Sequence, residues 1–307
     1  MSRTLLVAAA QLGPIQRSES RRATVDRLVE LLREGASRRA ELVVFPEAAL
    51  TPFFPHWLIE DPAELDSYFE ASMPNAGVRP LFDEAAALGV GFCLGYGELT
   101  RQPDGVVRRF NTSILVERDG RTVGHYRKIH LPGHRDIQPG HPYQNLEKRY
   151  FEVGDLGFGV WDAFGGRVGM CICNDRRWPE TYRVMALKGV ELVLLGYNTP
   201  ALIPEMPGTE RLADFHNRLC MQAGAYQNGT WVVGVAKAGV EAGVAQIGGT
   251  CVIAPSGELV AQAATDDDEV VTARVDLDAC RVYKETLFNF AAHRRPEHYT
   301  LITDPVS

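Results

Sequence analysis

Six cysteines scattered over 307 residues make no disulfide framework, which points to free thiols in a reducing, cytoplasmic setting. Long hydrophobic runs are missing too, since no stretch approaches the ~18 uninterrupted apolar residues of a membrane span. The N-terminal candidate, residues 5–10 after Arg3, falls short of the roughly 7–15 residue apolar core of a signal peptide and reads as a buried first strand. Excess positive charge is absent: 32 Lys and Arg against 39 Asp and Glu leave a net charge of −7. That balance argues against nucleic acid as a partner. Glycine and proline, at 29 and 18 residues, are too sparse for a low-complexity or collagen-like chain.

What is present is ordinary globular material, 45% hydrophobic and 23% charged. A chain of this length buries a sufficient core without a metal or disulfide staple. Short apolar runs alternate with helical patterns. The run 5–10 precedes a helix carrying Val25, Leu28, Val29 and Leu32 at helical spacing, and a buried strand at 42–45 ends at Pro46. A helix with Leu81, Phe82, Ala85 and Leu88 stops near Gly89 before a strand at 90–94. Strands at 112–117 and 121–129 flank Asp119-Gly120, a hairpin signal. A strand at 168–173 leads to a helix from Pro179 to about Gly189, then to a strand at 192–195. A later helix aligns Leu212, Phe215, Leu219, Ala223 and Tyr226 on one face. The remainder is mostly strand. The stretches 131–150 and 198–209 show no period and read as functional loops. No repeat or linker interrupts the chain, which we read as one domain over 1–307 with a short C-terminal tail. The pattern fits an α/β protein with two sheets between helices, or a doubly wound parallel sheet.

Several chemical signatures fail. There is no phosphate-binding loop, and the Gly89, Gly91, Gly95 series enters a strand rather than a helix. Cys171 and Cys173 have neither zinc nor redox spacing. Cys173, however, ends a strand beside a helix start and two arginines, which would favour a thiolate. Cys171 points the same way one pleat earlier and reads as core. Two more strands end in ionisable residues, at Pro46-Glu47 and at Lys128-Ile129-His130. Period-two alternation places Lys128 and His130 on one face. A cysteine nucleophile needs a base and an oxyanion donor, and three strand ends carrying a thiol, a carboxylate and an ammonium supply all three.

These residues lie in recognisable motifs. Phe45-Pro46-Glu47, Arg127-Lys128-Ile129-His130-Leu131 and Cys171-Ile172-Cys173-Asn174-Asp175 resemble the Glu, Lys and Cys motifs of the nitrilase superfamily. The likeness is strongest to its N-carbamoyl-D-amino acid hydrolases and spans nearly the whole chain. It takes in Arg109-Phe110-Asn111-Thr112-Ser113-Ile114, the segment from Leu146 to Glu152, Arg176-Arg177-Trp178-Pro179-Glu180, Gly196-Tyr197-Asn198-Thr199-Pro200 and the segment from Met221 to Gly229. The resemblance implies a four-layer αββα sandwich whose subunits pair through helices into a homodimer or homotetramer. It implies a small N-carbamoyl amino acid substrate and neither metal nor organic cofactor. By the same resemblance Glu47 is the general base, Cys173 the nucleophile and Lys128 the oxyanion donor, with Glu147 orienting Lys128. Arg176 and Arg177 would clamp the substrate carboxylate, with Asn174, Asn198, Thr199 and His130 lining the pocket.

Two departures bear on substrate range. Asn145 stands where the family pattern has His, and Ala201-Leu202-Ile203-Pro204 replaces a polar, His-containing stretch. Apolar residues there would favour bulky hydrophobic D-side chains. Related chemistry on N-carbamoyl-β-alanine or an aliphatic amide stays open. So do a Cys–His hydrolase using His130, His134 or His141 as base, and a binding module on the same scaffold.

Overall fold

A run such as Val7-Ala8-Ala9-Ala10 has no polar face, so a strand built from it needs cover on both sides. The computed structural model, which describes residues 2–304, provides that cover with two stacked sheets and two helical layers. In chain order the strands are β1 (Thr4–Gln11), β2 (Leu42–Val44), β3 (Gly91–Arg101), β4 (Val107–Val116), β5 (Thr122–Arg127), β6 (Val160–Ala163) and β7 (Gly166–Ile172). They continue with β8 (Leu192–Tyr197), β9 (Trp231–Ala236), the hairpin β10 (Ala238–Glu241) and β11 (Val244–Ile247), β12 (Cys251–Ile253), β13 (Leu259–Gln262) and β14 (Glu269–Asp276). One sheet has the order β14-β1-β2-β3-β4-β5 and the other β13-β12-β9-β8-β7-β6. Strands β1, β2 and β3 are mutually parallel, as are β7, β8 and β9, with antiparallel strands at the flanks.

Alternation along each strand then divides the core. Val7, Ala9, Leu42 and Val44 join Met170, Leu192, Leu194 and Val233 between the sheets. Their neighbours Ala8, Ala10, Val43 and Phe92 pack under helices Arg21–Ser37 and Arg79–Leu88, meeting Val25, Leu28, Leu81 and Phe82. Helices Pro179–Leu187 and Ala213–Asn228 cover the second sheet through Tyr182, Met185, Met221 and Ala225. The result is the αββα sandwich. Among the described residues no helix is long and apolar enough to cross a membrane.

Two local readings need correction. β3 and β4 extend well beyond 90–94 and 112–117, because polar residues that break the apolar pattern are paired across the sheet. Glu98 accepts from Arg127 Nη2 and Thr112 Oγ1, each at 2.7 Å. The apolar stripe on helix Ala213–Asn228 faces outward, with Phe215 55% and Leu219 49% exposed. Its buried face is Asn217, Met221, Gly224, Ala225 and Asn228. Polar anchoring chooses that face: Asn217 bonds Arg176 and Tyr197, and a Cβ on Gly224 would lie 2.6 Å from the Tyr182 ring.

Candidate active site

The ionisable cluster forms where strands from both sheets end side by side. Glu47 follows β2, Lys128 follows β5 and Cys173 follows β7. Two glycines let the backbone at Glu47 sit between the sheets. A Cβ on Gly95 of β3 would lie 2.6 Å from Pro46 O, and one on Gly196 of β8 would lie 2.5 Å from Glu47 N. No other residue type allows that approach. Cys173 itself adopts a left-handed backbone, φ 48°, as it opens the turn Cys173–Arg177. That conformation is costly for a residue with a side chain and is held here by surrounding contacts.

Glu47 is saturated with donors. Its Oε1 accepts from Lys128 Nζ at 2.8 Å and Asn111 Nδ2 at 2.7 Å, and its Oε2 from the Asn198 backbone N–H at 2.8 Å. Lys128 Nζ also donates to Glu147 Oε2 at 2.6 Å. Cys173 Sγ lies 3.3 Å from Asn198 O and 3.8 Å from Arg176 Nη1. All four ionisable groups are sealed from bulk water.

Burial is the largest single influence on Lys128, Glu147 and Cys173. It opposes the charge on Lys128, but Cys173, Glu147 and Glu47 together outweigh it and raise the ammonium above the usual lysine value. Burial raises the Glu147 carboxyl, against the pull of Lys128 and with a further push from Glu47. The Cys173 thiol is raised as well, first by burial and then by the charge of Glu47, against Lys128 and Arg176. This corrects the expected thiolate: a thiol this deep rests protonated.

The remaining candidates divide. A cavity of about 210 Å³ reaches Cys173 and Glu147 and is walled by Asn198, Thr199, Arg177 and Asn145. Asn198 Oδ1 and Asn145 Oδ1 are both buried without a hydrogen-bond partner. Arg177 donates to Asn174 Oδ1 at 3.0 Å and forms no ion pair among the described residues. Arg176 does not join it. Its donors are spent on Asn217 Oδ1, Cys173 O and Thr199 Oγ1 at 2.7–2.8 Å, and its guanidinium lies over the Tyr197 ring. The expected arginine clamp therefore reduces to one arginine, with Arg176 fixing the turn that presents the thiol.

His130 and Asn174 line a different, outer depression beside Trp178. β5 ends at Arg127, so the alternation expected to pair Lys128 with His130 stops there. His130 Nδ1 instead donates to Asp175 Oδ1 at 2.8 Å and its ring stacks on Trp178. His134 Nε2 donates to Glu205 Oε1 at 2.5 Å, and His141 lies against the same carboxylate. No histidine among the described residues hydrogen-bonds Cys173 Sγ, whose partners are Asn198 O and Arg176 Nη1, so no Cys–His pair is formed. Of the apolar replacement, Ile203 and Pro204 reach the cavity, whereas Ala201 and Leu202 do not.

Sequence reasoning assigned no role to Asn111, which bonds Glu47 from β4. It also passed over Asp175, whose Oδ2 accepts from Tyr126 Oη at 2.7 Å and from the Ile172 backbone at 3.0 Å. Phe53, His56, Tyr143 and Glu205 on the cavity wall were missed too. The available signal was weak: Asn111 and Asp175 sit inside the recognisable motifs, but the wall residues lie outside them.

A thiol, a carboxylate pair and an ammonium gathered around one small cavity are the parts of a cysteine hydrolase that works by acyl transfer. Residues 6–285 match the carbon–nitrogen hydrolase family, and the chain belongs to that family, within the nitrilase superfamily, whose hydrolases act on carbon–nitrogen bonds other than peptide bonds. An N-carbamoylputrescine amidase from Solanum lycopersicum is 28% identical, over 98% of this chain and 95% of that protein. A nitrilase from Pyrococcus abyssi is 30% identical, over 88% of this chain and 90% of that protein. The carbon–nitrogen hydrolase of Helicobacter pylori G27 superposes with a TM-score of 0.80 at 24% identity, covering 99% of this chain and all of the other, and shares the fold. These matches establish the family and not an N-carbamoyl-D-amino acid substrate.

Proposed function

We propose that the protein hydrolyses N-carbamoyl-D-amino acids to the D-amino acid, carbon dioxide and ammonia. The observation that carries this reading is Arg177, a guanidinium on the wall of the Cys173 cavity with no carboxylate partner among the described residues. A planar fork of donors suits a substrate carboxylate. The unpartnered carbonyls of Asn145 and Asn198 suit the N–H groups of a ureido function.

In this reading Glu47 takes the Cys173 proton as the sulfur attacks the carbamoyl carbon. Because the thiol rests protonated, transfer and attack proceed together. Lys128 Nζ and a backbone N–H opening the turn Cys173–Arg177 receive the oxyanion. Glu147 holds Lys128 in place. Protonated Glu47 then gives its proton to the departing amine, and water hydrolyses the carbamoyl-thioester. The carbamate released decays to carbon dioxide and ammonia. In the D-enantiomer the side chain faces the mouth between loops 131–150 and 198–209.

Glu205 on the same wall favours a second reading, a ureido compound ending in an ammonium group, as N-carbamoylputrescine does. One panel separates them: D- and L-enantiomers of several N-carbamoyl amino acids, N-carbamoyl-β-alanine, N-carbamoylputrescine and an aliphatic amide, with ammonia and amine product measured. Highest kcat/KM in the D-series supports the first reading. Highest kcat/KM on N-carbamoylputrescine replaces it with the second.

A further inference from the structure

One wall of the cavity comes from residues 51–56, and a buried ion pair ties this segment down. Lys237 Nζ donates to Thr51 O at 2.5 Å and to Glu241 Oε2 at 3.0 Å. Glu241 Oε1 accepts from the Phe53 backbone at 2.6 Å, and its Oε2 from the Ile15 backbone at 3.0 Å. Both side chains are fully buried, and the turn Phe54–His56 follows directly. His56 lines the cavity at 4% exposure. Its ring stands edge-on to Phe53 and to Tyr143, with centroids 4.9 Å away in each case. Neither ring nitrogen hydrogen-bonds a protein group among the described residues, so the donor and acceptor of a ring that lines the cavity are unspent. Burial, and then the charge of Lys237, push the imidazole pKa down to about 3. The ring is therefore neutral, with one N–H donor and one bare nitrogen acceptor. No step of the proposed hydrolysis uses it.

We propose that His56 reads the substrate side chain, selecting N-carbamoyl amino acids that carry a hydroxyl or carboxamide over apolar ones of the same shape. The proposal rests on the carbamoyl amino acid reading for the rest of the substrate. Phe53 and Tyr143 pack edge-on to His56, and Pro132, Pro200, Ile203 and Pro204 line the same cavity together with the polar Asn145, Thr199 and Glu205. Of these Asn145 is assigned to the ureido group, Thr199 accepts from Arg176 and Glu205 accepts from His134, which leaves the imidazole to meet the side chain. An apolar side chain strips the imidazole of solvent and gives nothing back. A hydroxyl or carboxamide both donates and accepts, and so satisfies either tautomer. This reverses the hydrophobic preference expected from Ala201-Leu202-Ile203.

The test compares kcat/KM within shape-matched pairs, N-carbamoyl-D-threonine against D-valine and D-asparagine against D-leucine, for wild type, His56→Phe and His56→Gln. Wild type should favour the polar member by about 10–100-fold. His56→Phe keeps an aromatic ring and should lose that preference, with the loss falling on KM for the polar members. His56→Gln, which still donates and accepts, should keep part of it. No polar preference in wild type, or a preference that survives in His56→Phe, overturns the proposal. If His56→Phe does not fold, the wild-type ratio and His56→Gln decide. If wild type leaves the D-series untouched, the substrate reading fails. The same pairs as L-enantiomers, and as primary amides of acids with the same side chains, then test His56 separately. Inactivity on all three series overturns both.

Discussion

Lys128→Met probes the cluster at its centre. The ammonium holds Glu47 at 2.8 Å and Glu147 at 2.6 Å, and all three groups are sealed from solvent, so salt screens little of the interaction. Removing one partner of a buried pair typically costs about 3–5 kcal/mol. The loss falls unevenly. Glu47 keeps Asn111 and the Asn198 N–H, whereas Lys128 is the only hydrogen-bond donor to the Glu147 carboxylate among the described residues. Burial already raises the Glu147 carboxyl, and Lys128 is what holds it down. In the variant its folded pKa moves further above its unfolded value, and the folded state binds the proton more tightly. Stability of the variant is then greater in acid and falls as pH rises through the folded pKa. The wild type shares the first part of that fall, because its own Glu147 is already raised to about 7, while its raised Lys128 contribution is fully present below the ordinary lysine value and constant across neutral pH. The stability gap between the two proteins should therefore stay level in acid and widen only above about pH 7, by about 1.4 kcal/mol per pH unit up to the variant's higher folded carboxyl value. Urea midpoints multiplied by slopes measure it. Adding Glu147→Gln to the variant should flatten the pH dependence. On activity, losing one oxyanion donor should lower kcat by about 10²–10³ with little change in KM. A gap independent of pH would refute the electrostatic argument. A rise in KM alone would show that Lys128 serves to bind substrate instead.

Cys173→Ala should abolish turnover yet leave the fold intact, and acid-quenched wild type should carry carbamoyl mass on the Cys173 peptide; activity in the alanine variant would end the nucleophile assignment. Arg177→Met should raise KM for carboxylate substrates by about 10–100-fold, the worth of a charge-assisted hydrogen bond, at little cost in stability. Arg176→Met should instead lower the urea midpoint, since each acceptor stranded among Asn217, Cys173 and Thr199 costs about 1–3 kcal/mol. We also propose that copies pair through the outward stripe of helix Ala213–Asn228 and its neighbour Pro179–Leu187, where Phe215, Leu219 and Leu187 are 55%, 49% and 45% exposed. Sedimentation should give a dimer or tetramer, and Leu219→Glu should shift it towards monomer.

Glu47 and Cys173 were legible because each follows a buried apolar strand, and Lys128 because it stands with them in the motifs that the sequence shares with the family. Glu147 was legible beside Lys128, but other contacts that hold the site were not, because they come from far along the chain. Asn198 lies 151 residues from Glu47, and Glu241 lies 188 from the Phe53 backbone it holds. No periodicity encodes such distances. The arginine pair shows the limit at its closest range. Arg176 and Arg177 are consecutive and chemically identical, so the sequence treats them alike. The tight turn Cys173–Arg177 sends one inward, to acceptors on Asn217, Cys173 and Thr199, and leaves the other on the cavity wall. Only the acceptors waiting in the turn, in the loop after β8 and on helix Ala213–Asn228 distinguish them. The outward stripe of that helix follows from the same cause. Asn217 must face in to meet Arg176, and that requirement turns Phe215 and Leu219 out. One buried guanidinium thus shapes both the turn that presents the thiol and the apolar face that the helix leaves exposed.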